Sequence, residues 1–428
     1  MRILVVGAYG LIGSYVTARL LAEGHEVVGV GREVSGARLR LPDVRWIAAD
    51  FRRPDKVDWA KMLDAVDAVV NCAGALQDSL RDNLQAVHLQ MVAGLADACV
   101  ASGVRRFVQI SAVGVDRRKT PFERTKFEAD QALKASPLDW IILRPGLVLA
   151  PAAYGGSALL RGLAALPFVI PAASPDAVIQ TISVHDVAEA VVRSLTTDPA
   201  RFTCDLTSAE NTGLGEVLQG LRAWLGLQPA PVIRVPSAIT RLAALVADGL
   251  AWLGWRSPLR SAALDQLAAG VQGRSADAAD LLSLTIGGLR ETLARWPAGV
   301  QERWYARLYF LKPLIIAVLA AFWAASGLIG LARMTEAAGL LTNAGFPGGV
   351  ADAAVVAGGG LDIVLAILVC IRRTARPALG GMVLTTAAYL VAASVWLPHL
   401  WTDPLGPLVK SIPAAVLALA AWAMMDER

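Results

Sequence analysis

Apolar and polar positions divide this chain into two regimes. Over residues 1 to about 230, short β-branched runs alternate with charged segments. They predict strands near 2–6, 26–30, 44–49, 67–71, 106–111 and 139–143 with helical periodicity between them. Strands that alternate with helices in this way predict an α/β fold of the Rossmann type, a doubly wound parallel sheet. From Leu308 onward the pattern changes to four long apolar stretches, near 308–331, 350–371, 379–398 and 405–425. Each approaches the roughly 20 residues that span a bilayer core, which predicts an all-α four-helix transmembrane bundle. Between the regimes, apolar helical patterns in 231–305 are interrupted by Pro236, Pro258 and Gly270. The expected organisation is therefore a cofactor-type domain at 1–230, a helical connector at 231–305 and a membrane domain at 306–428.

Charge orients the second regime. Arg290, Arg295, Arg303, Arg307 and Lys312 precede the first apolar stretch, and Arg372, Arg373 and Arg376 lie between the second and third. The other connectors hold only Arg333, offset by Glu336, or no basic residue (Pro398 to Pro404). The positive-inside rule then predicts a multi-pass protein of the cell membrane, an inner membrane, with the N-terminal domain and the C-terminus cytoplasmic. Trp296, Trp304, Tyr305 and Tyr309 at one end, and Trp396 and Trp401 at the other, are placed as interfacial aromatics. A hydrophobic fraction of 55% and a mean hydropathy of +0.50 exclude an ordinary soluble protein. The net charge of +4 is accounted for by the flanking arginines. No basic stripe with interleaved aromatics argues for nucleic acid. The four cysteines (Cys72, Cys99, Cys204, Cys370) have no paired spacing and read as small buried apolar residues. The four histidines are scattered, so no metal site is proposed; His185 in Ser-Val-His-Asp-Val reads as a structural residue at a helix start.

Chemistry concentrates at the amino end. The first strand runs into Gly7, Gly10 and Gly13, spaced three apart, and then into an amphipathic helix. A tight turn needs Gly7, approach of backbone N–H groups to a pyrophosphate needs Gly10, and packing of helix on strand needs Gly13. The helix N-terminus offers partial positive charge to the phosphates. The second strand ends in Gly31-Arg32 where an acidic residue would grip a ribose 2′-hydroxyl. An arginine suits a 2′-phosphate, which favours NADP(H) over NAD(H); the alternative is a solvated loop arginine. Asp50-Phe51 after the third strand is placed to border an adenine, and Asn71-Cys-Ala73-Gly74 ends the fourth with small residues that let the cofactor lie close.

Together with Gly103-Val-Arg-Arg-Phe-Val-Gln-Ile-Ser111, Lys126, Arg144-Pro-Gly and Ile182-Ser-Val-His-Asp-Val-Ala, these motifs resemble the atypical or extended short-chain dehydrogenases/reductases. Within them the chain is similar to NmrA-type regulators and to the NADPH-binding accessory subunit of complex I. The resemblance covers about half of the chain. The apolar half is similar to DoxX-like four-helix proteins. The resemblance implies an oxidoreductase with cofactor contacts at Gly7, Tyr9, Gly10, Leu11, Ile12, Gly13, Arg32, Asp50, Phe51, Ala73, Gly74 and Lys126, and catalytic positions at Lys126 and Ser111.

One departure from the family bears on turnover. Its reductases use Tyr-x-x-x-Lys, in which the phenol moves a proton and the lysine lowers its pKa and holds the nicotinamide ribose. Here the segment is Phe122-Glu-Arg-Thr-Lys126, and Phe122 has no proton to give. Ala112 and Val113 follow Ser111 where a substrate-polarising hydroxyl often lies. Tyr154 is a substitute donor or a plain loop tyrosine. In the connector, the apolar run from Ala238 to Leu253, broken by Arg241 and Asp248, predicts a substrate lid or membrane-surface helix. Such a lid would admit a quinone or isoprenoid from the bilayer. Asp352 and Asp362 fall in or beside the second apolar stretch, near Gly358-Gly359-Gly360; a carboxylate at depth is a functional-site hypothesis. Two readings compete: a membrane-anchored NADP(H)-dependent oxidoreductase, and a non-catalytic NADP(H)-binding sensor or scaffold. Neither reading identifies a protein partner.

Overall fold

A computed structural model describes residues 1–78, 83–255 and 258–426. It comprises two compact units: Met1–Asp248 with Ser257–Ala306, and Gly249–Arg256 with Arg307–Arg428.

The first unit is built on a seven-stranded, wholly parallel sheet. Six strands lie where the sequence pattern predicts them: β1 (Arg2–Val6), β2 (Glu26–Gly31), β3 (Arg45–Ala48), β4 (Ala68–Asn71), β5 (Arg106–Ile110) and β6 (Asp139–Pro145). A further strand, Phe202–Leu206, pairs with β6 at the edge. Its sequence, Phe-Thr-Cys-Asp-Leu, is short and mixed, and the neighbour it joins is far away in the chain. The spatial order is Phe202–Leu206, β6, β5, β4, β1, β2, β3. Connections leave β1 and β4 in opposite directions, and ligands bind outside the carboxyl ends of strands at such a switch point. Strand residues such as Leu4, Val5 and Val69 are wholly buried because helices cover both faces. One core lies under helices Leu11–Ala22 and Val184–Thr196, the other under Met91–Ser102 and Pro121–Lys134. Helix Pro121–Lys134 starts sharply because Pro121 occupies its first position and Thr120 and Glu123 cap each other's backbone amides.

The second unit is helical. Val300–Ala332, Gly348–Cys370 and Arg372–Trp396 are long and apolar enough to cross a membrane. The fourth apolar stretch forms Pro407–Ala423, a helix of 17 residues with Pro413 inside it, which is shorter than those three. A helix not anticipated from the sequence, Met334–Asn343, lies between the first two. The long helices bury Trp323, Val369, Leu379 and Met382 against one another and leave Leu328, Ile367, Leu384 and Val391 on the outside. Gly327 and Gly359 permit close approach: a Cβ on Gly327 would lie 2.5 Å from the Gly359 carbonyl oxygen.

Candidate functional site

The glycine loop leaves the carboxyl end of β1. Gly7 has φ +73°, and a Cβ there would lie 2.9 Å from the Ala73 backbone. Gly10 donates its N–H to the Gly7 carbonyl at 2.9 Å, closing the turn. A Cβ on Gly13 would reach 2.1 Å from that same carbonyl, so only glycine lets the helix pack here. Helix Leu11–Ala22 makes its first intrahelical bond from Ser14 N–H to Gly10 O, and Gly10 supplies no side-chain cap. The first-turn amides of Leu11, Ile12 and Gly13 therefore have no intrahelical acceptor. A glycine-only approach beside uncapped amides at a helix N-terminus fits a pyrophosphate.

Tyr9 closes the neighbouring wall. Its ring lies where a Cβ on Gly31 would be, 2.1 Å from Cε1, and its hydroxyl accepts from the N–H groups of Arg32 (3.2 Å) and Glu33 (3.5 Å). The Arg32 side chain is exposed at the end of β2. The Asp50 carboxylate is clasped by Arg52, with Nε at 2.9 Å from each oxygen, and that bond holds its pKa below the usual carboxylate range. Phe51 turns into the core and stacks on Trp59 at 5.9 Å.

On the far side of the switch point, Asn71 shapes the turn after β4. Its Oδ1 accepts from Ala73 N–H (3.0 Å) and its Nδ2 donates to Gln109 Oε1 (2.8 Å). The buried Lys126 ammonium donates to the carbonyls of Ile110 (2.9 Å) and Ala73 (3.5 Å). It lies 3.4 Å from where a Cβ of Gly74 would stand. Burial pulls its pKa down from 10.5 to about 8, with the nearby Asp130 carboxylate opposing. The fold thus assembles Gly7, Ala73, Gly74 and Lys126 from three separate segments.

Two groups here escaped the sequence reading. His88, buried in a π-helical turn at Gln85–Gln90, accepts from Ala75 N–H through Nε2 (3.1 Å). Its Nδ1 lies 2.8 Å from Thr125 Oγ1, whose own hydrogen goes to the Pro121 carbonyl (3.0 Å). This pattern assigns a neutral imidazole protonated at Nδ1. Burial holds its pKa well below the ordinary 6.5, with the Lys126 charge adding to the effect. The ring meets the half-buried Phe122 edge-on at 5.6 Å. No motif surrounds His88, and a π-turn leaves no pattern in apolar spacing. The second group, Asp130, carried a signal that would have found it: it lies one turn beyond Lys126 on the same helix. Ser111 donates to it at 2.8 Å, and Arg144 joins it (3.1 Å) to Asp116 (2.6 Å). Burial raises the Asp130 pKa, and Arg144 is the first of the groups that oppose this. The Ser111 hydrogen is therefore spent inward.

The remaining positions are apart from this cluster. His185 packs against Tyr15 (5.1 Å) and Trp296 (5.7 Å) at a helix start capped by Ser183. Tyr154 stands at the start of helix Gly155–Ala164, where its backbone bonds with Ser157 Oγ, and is half-exposed. In the helical unit Asp362 is buried and accepts from Ser326 Oγ (2.7 Å) and Tyr389 OH (3.1 Å), whereas Asp352 is exposed near the start of its helix. Among the described residues, no group of three or more His, Cys, Asp or Glu could hold a metal ion.

Comparison with known proteins agrees with this division. Residues 7–198 match an NAD(P)H-binding family and residues 320–419 match the DoxX-like family. The chain joins an NAD(P)H-binding Rossmann domain of the short-chain dehydrogenase/reductase type to a DoxX-like domain. The NAD(P)H-binding domain is 31% identical to an uncharacterized protein of Mycobacterium tuberculosis, over 46% of this chain and 20% of that protein. The chain therefore spans about a fifth of the length of that relative. It is 36% identical to the chloroplastic divinyl chlorophyllide a 8-vinyl-reductase of Oryza sativa subsp. indica, over 33% of this chain and 39% of the reductase. It is 26% identical to the photosystem II assembly factor Ycf39 of Synechocystis, over 56% of this chain and 72% of that factor. Among solved structures, MoeE5 in complex with UDP-glucose and NAD superposes with a TM-score of 0.54 at 20% identity. That match covers 72% of this chain and 100% of MoeE5, and at this identity it carries the fold alone.

Proposed function

We propose that this chain is a membrane-anchored oxidoreductase that binds NADP(H) in preference to NAD(H) and reduces a lipophilic acceptor of the quinone or isoprenoid class. The observation that carries this reading is the buried Lys126 ammonium, held between Ile110 and Ala73 beside the glycine cradle. When bound, the nicotinamide supplies a hydride. The chain's own part is to hold the pyrophosphate on the amides of Leu11, Ile12 and Gly13, to receive the adenosine end beside Tyr9 and Arg32, and to hold the nicotinamide ribose with Lys126. Arg32, exposed at the end of β2, supports the NADP(H) preference through its match to a 2′-phosphate. A relative that reduces the 8-vinyl group of divinyl chlorophyllide supports an apolar, unsaturated acceptor. The arginines that flank the long helices support a cytoplasmic sheet domain and C-terminus.

A second reading, a sensor or scaffold that binds NADP(H) without turnover, is favoured by one observation. Phe122 replaces the proton-moving tyrosine, and the Ser111 hydrogen is committed to Asp130. General acid–base assistance is worth about 10²–10⁴ in rate, so its loss decides turnover. Titration of the purified full-length protein with NADPH and NADH, followed by nicotinamide fluorescence, separates the two once a short-chain quinone is added. Tight NADPH binding with oxidation on adding quinone, abolished in Lys126→Ala, is the expected result. Tight binding with no oxidation of NADPH would overturn the oxidoreductase and leave the sensor.

A further inference from the structure

Helix Ser237–Trp252 is built inside out. The residues it buries are Ala244 and Ala247, whereas Ile239, Leu242, Leu245 and Val246 are 58%, 63%, 66% and 57% exposed. At 3.6 residues per turn these four share one side of the helix, and Ala244 and Ala247 lie on the other. Arg241 and Asp248 lie along one edge between the two sides, and Asp248 is held there by Arg260 Nε (2.8 Å) and Ser261 Oγ (2.6 Å). A helix folded against a soluble domain turns its large apolar side chains inward. This one presents them outward, over about four turns.

We propose that this apolar side is embedded in the lipid interface of the bilayer that holds the DoxX-like helices. What fixes the occupant is the other end of the helix. Residues 249–256 belong to the helical unit, where Arg372 N–H donates to the Leu253 carbonyl (2.9 Å) and Trp255 Nε1 donates to the Cys370 carbonyl (2.6 Å). Cys370 and Arg372 form the turn between Gly348–Cys370 and Arg372–Trp396, two helices long and apolar enough to cross a membrane. A turn between two such helices lies at a membrane surface, so the carboxyl end of Ser237–Trp252 is fastened at that surface. Trp252, 77% exposed, and the exposed Arg373 supply the aromatic and cationic contacts that interfacial helices make with headgroups. The proposal rests on the membrane reading of the DoxX-like helices and not on turnover.

The test is nitroxide accessibility in the full-length protein reconstituted into nanodiscs containing anionic lipid. A ketone-bearing residue is placed singly at Ile239, Leu242, Val246 or Arg241 and labelled through an oxime, with the native cysteines left in place. Val364, on the outside of a long helix, serves as the lipid reference, and Leu39, exposed in the sheet domain, as the aqueous one. Expected is an oxygen-to-nickel-chelate accessibility ratio at Leu242 and Val246 about tenfold above that at Leu39, with Arg241 much lower, as burial of one helix face in the headgroup boundary requires. Ratios at all helix positions equal to that at Leu39, with Val364 reading lipid, would overturn the proposal. Shielding of Leu242 and Val246 from both relaxants would overturn it in favour of a protein partner or a second copy. An aqueous Val364 would remove the membrane reading as well.

Discussion

The sheet domain and the helical unit each hold a carboxylate out of water, and they satisfy it with different chemistry. Asp130 receives a full countercharge from Arg144, whose guanidinium also reaches the exposed Asp116, and a hydroxyl from Ser111. Asp362 receives two neutral hydroxyls, from Ser326 and Tyr389. The apolar residues divide in the same way: the sheet domain turns Ile3, Leu4 and Phe107 inward, and the long helices turn Leu328, Ile367 and Leu384 outward. A unit that folds in water gains by burying hydrocarbon and can lead a guanidinium from surface to core. A unit solvated by lipid gains nothing by hiding leucine, and every added charge is costly, so hydroxyls and glycine contacts hold it together.

Removing each carboxylate sharpens the contrast most. Asp130→Ala leaves the buried Arg144 guanidinium with the exposed Asp116 as its remaining carboxylate and the Ser111 hydroxyl without its acceptor, and is expected to lower the stability of the sheet domain by about 3 kcal/mol, the low end of the range for breaking a buried ion pair. Asp362→Asn keeps a hydrogen bond at both contacts, its Oδ1 accepting from one hydroxyl and its Nδ2 donating to the oxygen of the other, and is expected to cost under about 1 kcal/mol, a fraction of one buried hydrogen bond. Thermal unfolding of the two variants in detergent, with NADPH protection as the domain-specific signal, compares them. A large loss in Asp362→Asn would break the distinction.

Glycines provide the next contrast. Gly13→Val drives a side chain into the Gly7 carbonyl and is expected to weaken NADPH binding by about 100-fold, in keeping with the cost of overpacking. Gly327→Val, 2.5 Å from the Gly359 carbonyl, is expected to loosen the bundle and leave NADPH affinity unchanged. Fluorescence titration of both variants checks this, and an equal loss of affinity in each would show that the glycines of the two units are not independent.

Lys126 gives a pH signature that belongs to the sheet domain. Its pKa falls from 10.5 in the unfolded chain to about 8 in the folded one, because burial penalises the charged form. Between these values the unfolded chain binds more protons, so the lysine makes stability rise with pH from about 8 to 10.5, by up to about 1.4 kcal/mol per pH unit. Below about 8 both states are protonated and the penalty is constant. Denaturation midpoints of the wild type against Lys126→Met across this window measure the difference, and an unchanged slope would contradict the burial argument. The smallest effect is expected at Tyr9. Tyr9→Phe releases the amides of Arg32 and Glu33 and should change the ratio of NADPH to NADH affinity by roughly threefold to tenfold, about one hydrogen bond. Paired titrations read it directly.

Much of the fold was legible because its signals are local. Gly7, Gly10 and Gly13 announce a phosphate turn through spacing alone, and six strands appear as apolar runs because both faces of the sheet are covered. Phe202–Leu206 escaped because a short mixed strand is defined by the neighbour it joins. The fourth apolar stretch read as a span by composition, but Pro413 and the helix start at Pro407 leave a shorter helix. At the site, Lys126 and Ser111 were visible as motif positions. The inward direction of the Ser111 hydroxyl was not, since it depends on Asp130 and Arg144, which come from different elements.

Residue order and side-chain chemistry alone settle the division into an alternating α/β half and a half of long apolar helices, the glycine cradle and the missing phenol at Phe122. These are properties of residue type and spacing, and they survive any arrangement of the helices. Only the folded chain decides that His88 is locked neutral against Ala75 and Thr125, that Tyr9 covers the amides after β2, and that Asp362 meets Ser326 and Tyr389. It also decides that helix Ser237–Trp252 shows its leucines to the outside. Each depends on groups brought together from distant positions, where burial and directed hydrogen bonds, not sequence spacing, set the chemistry.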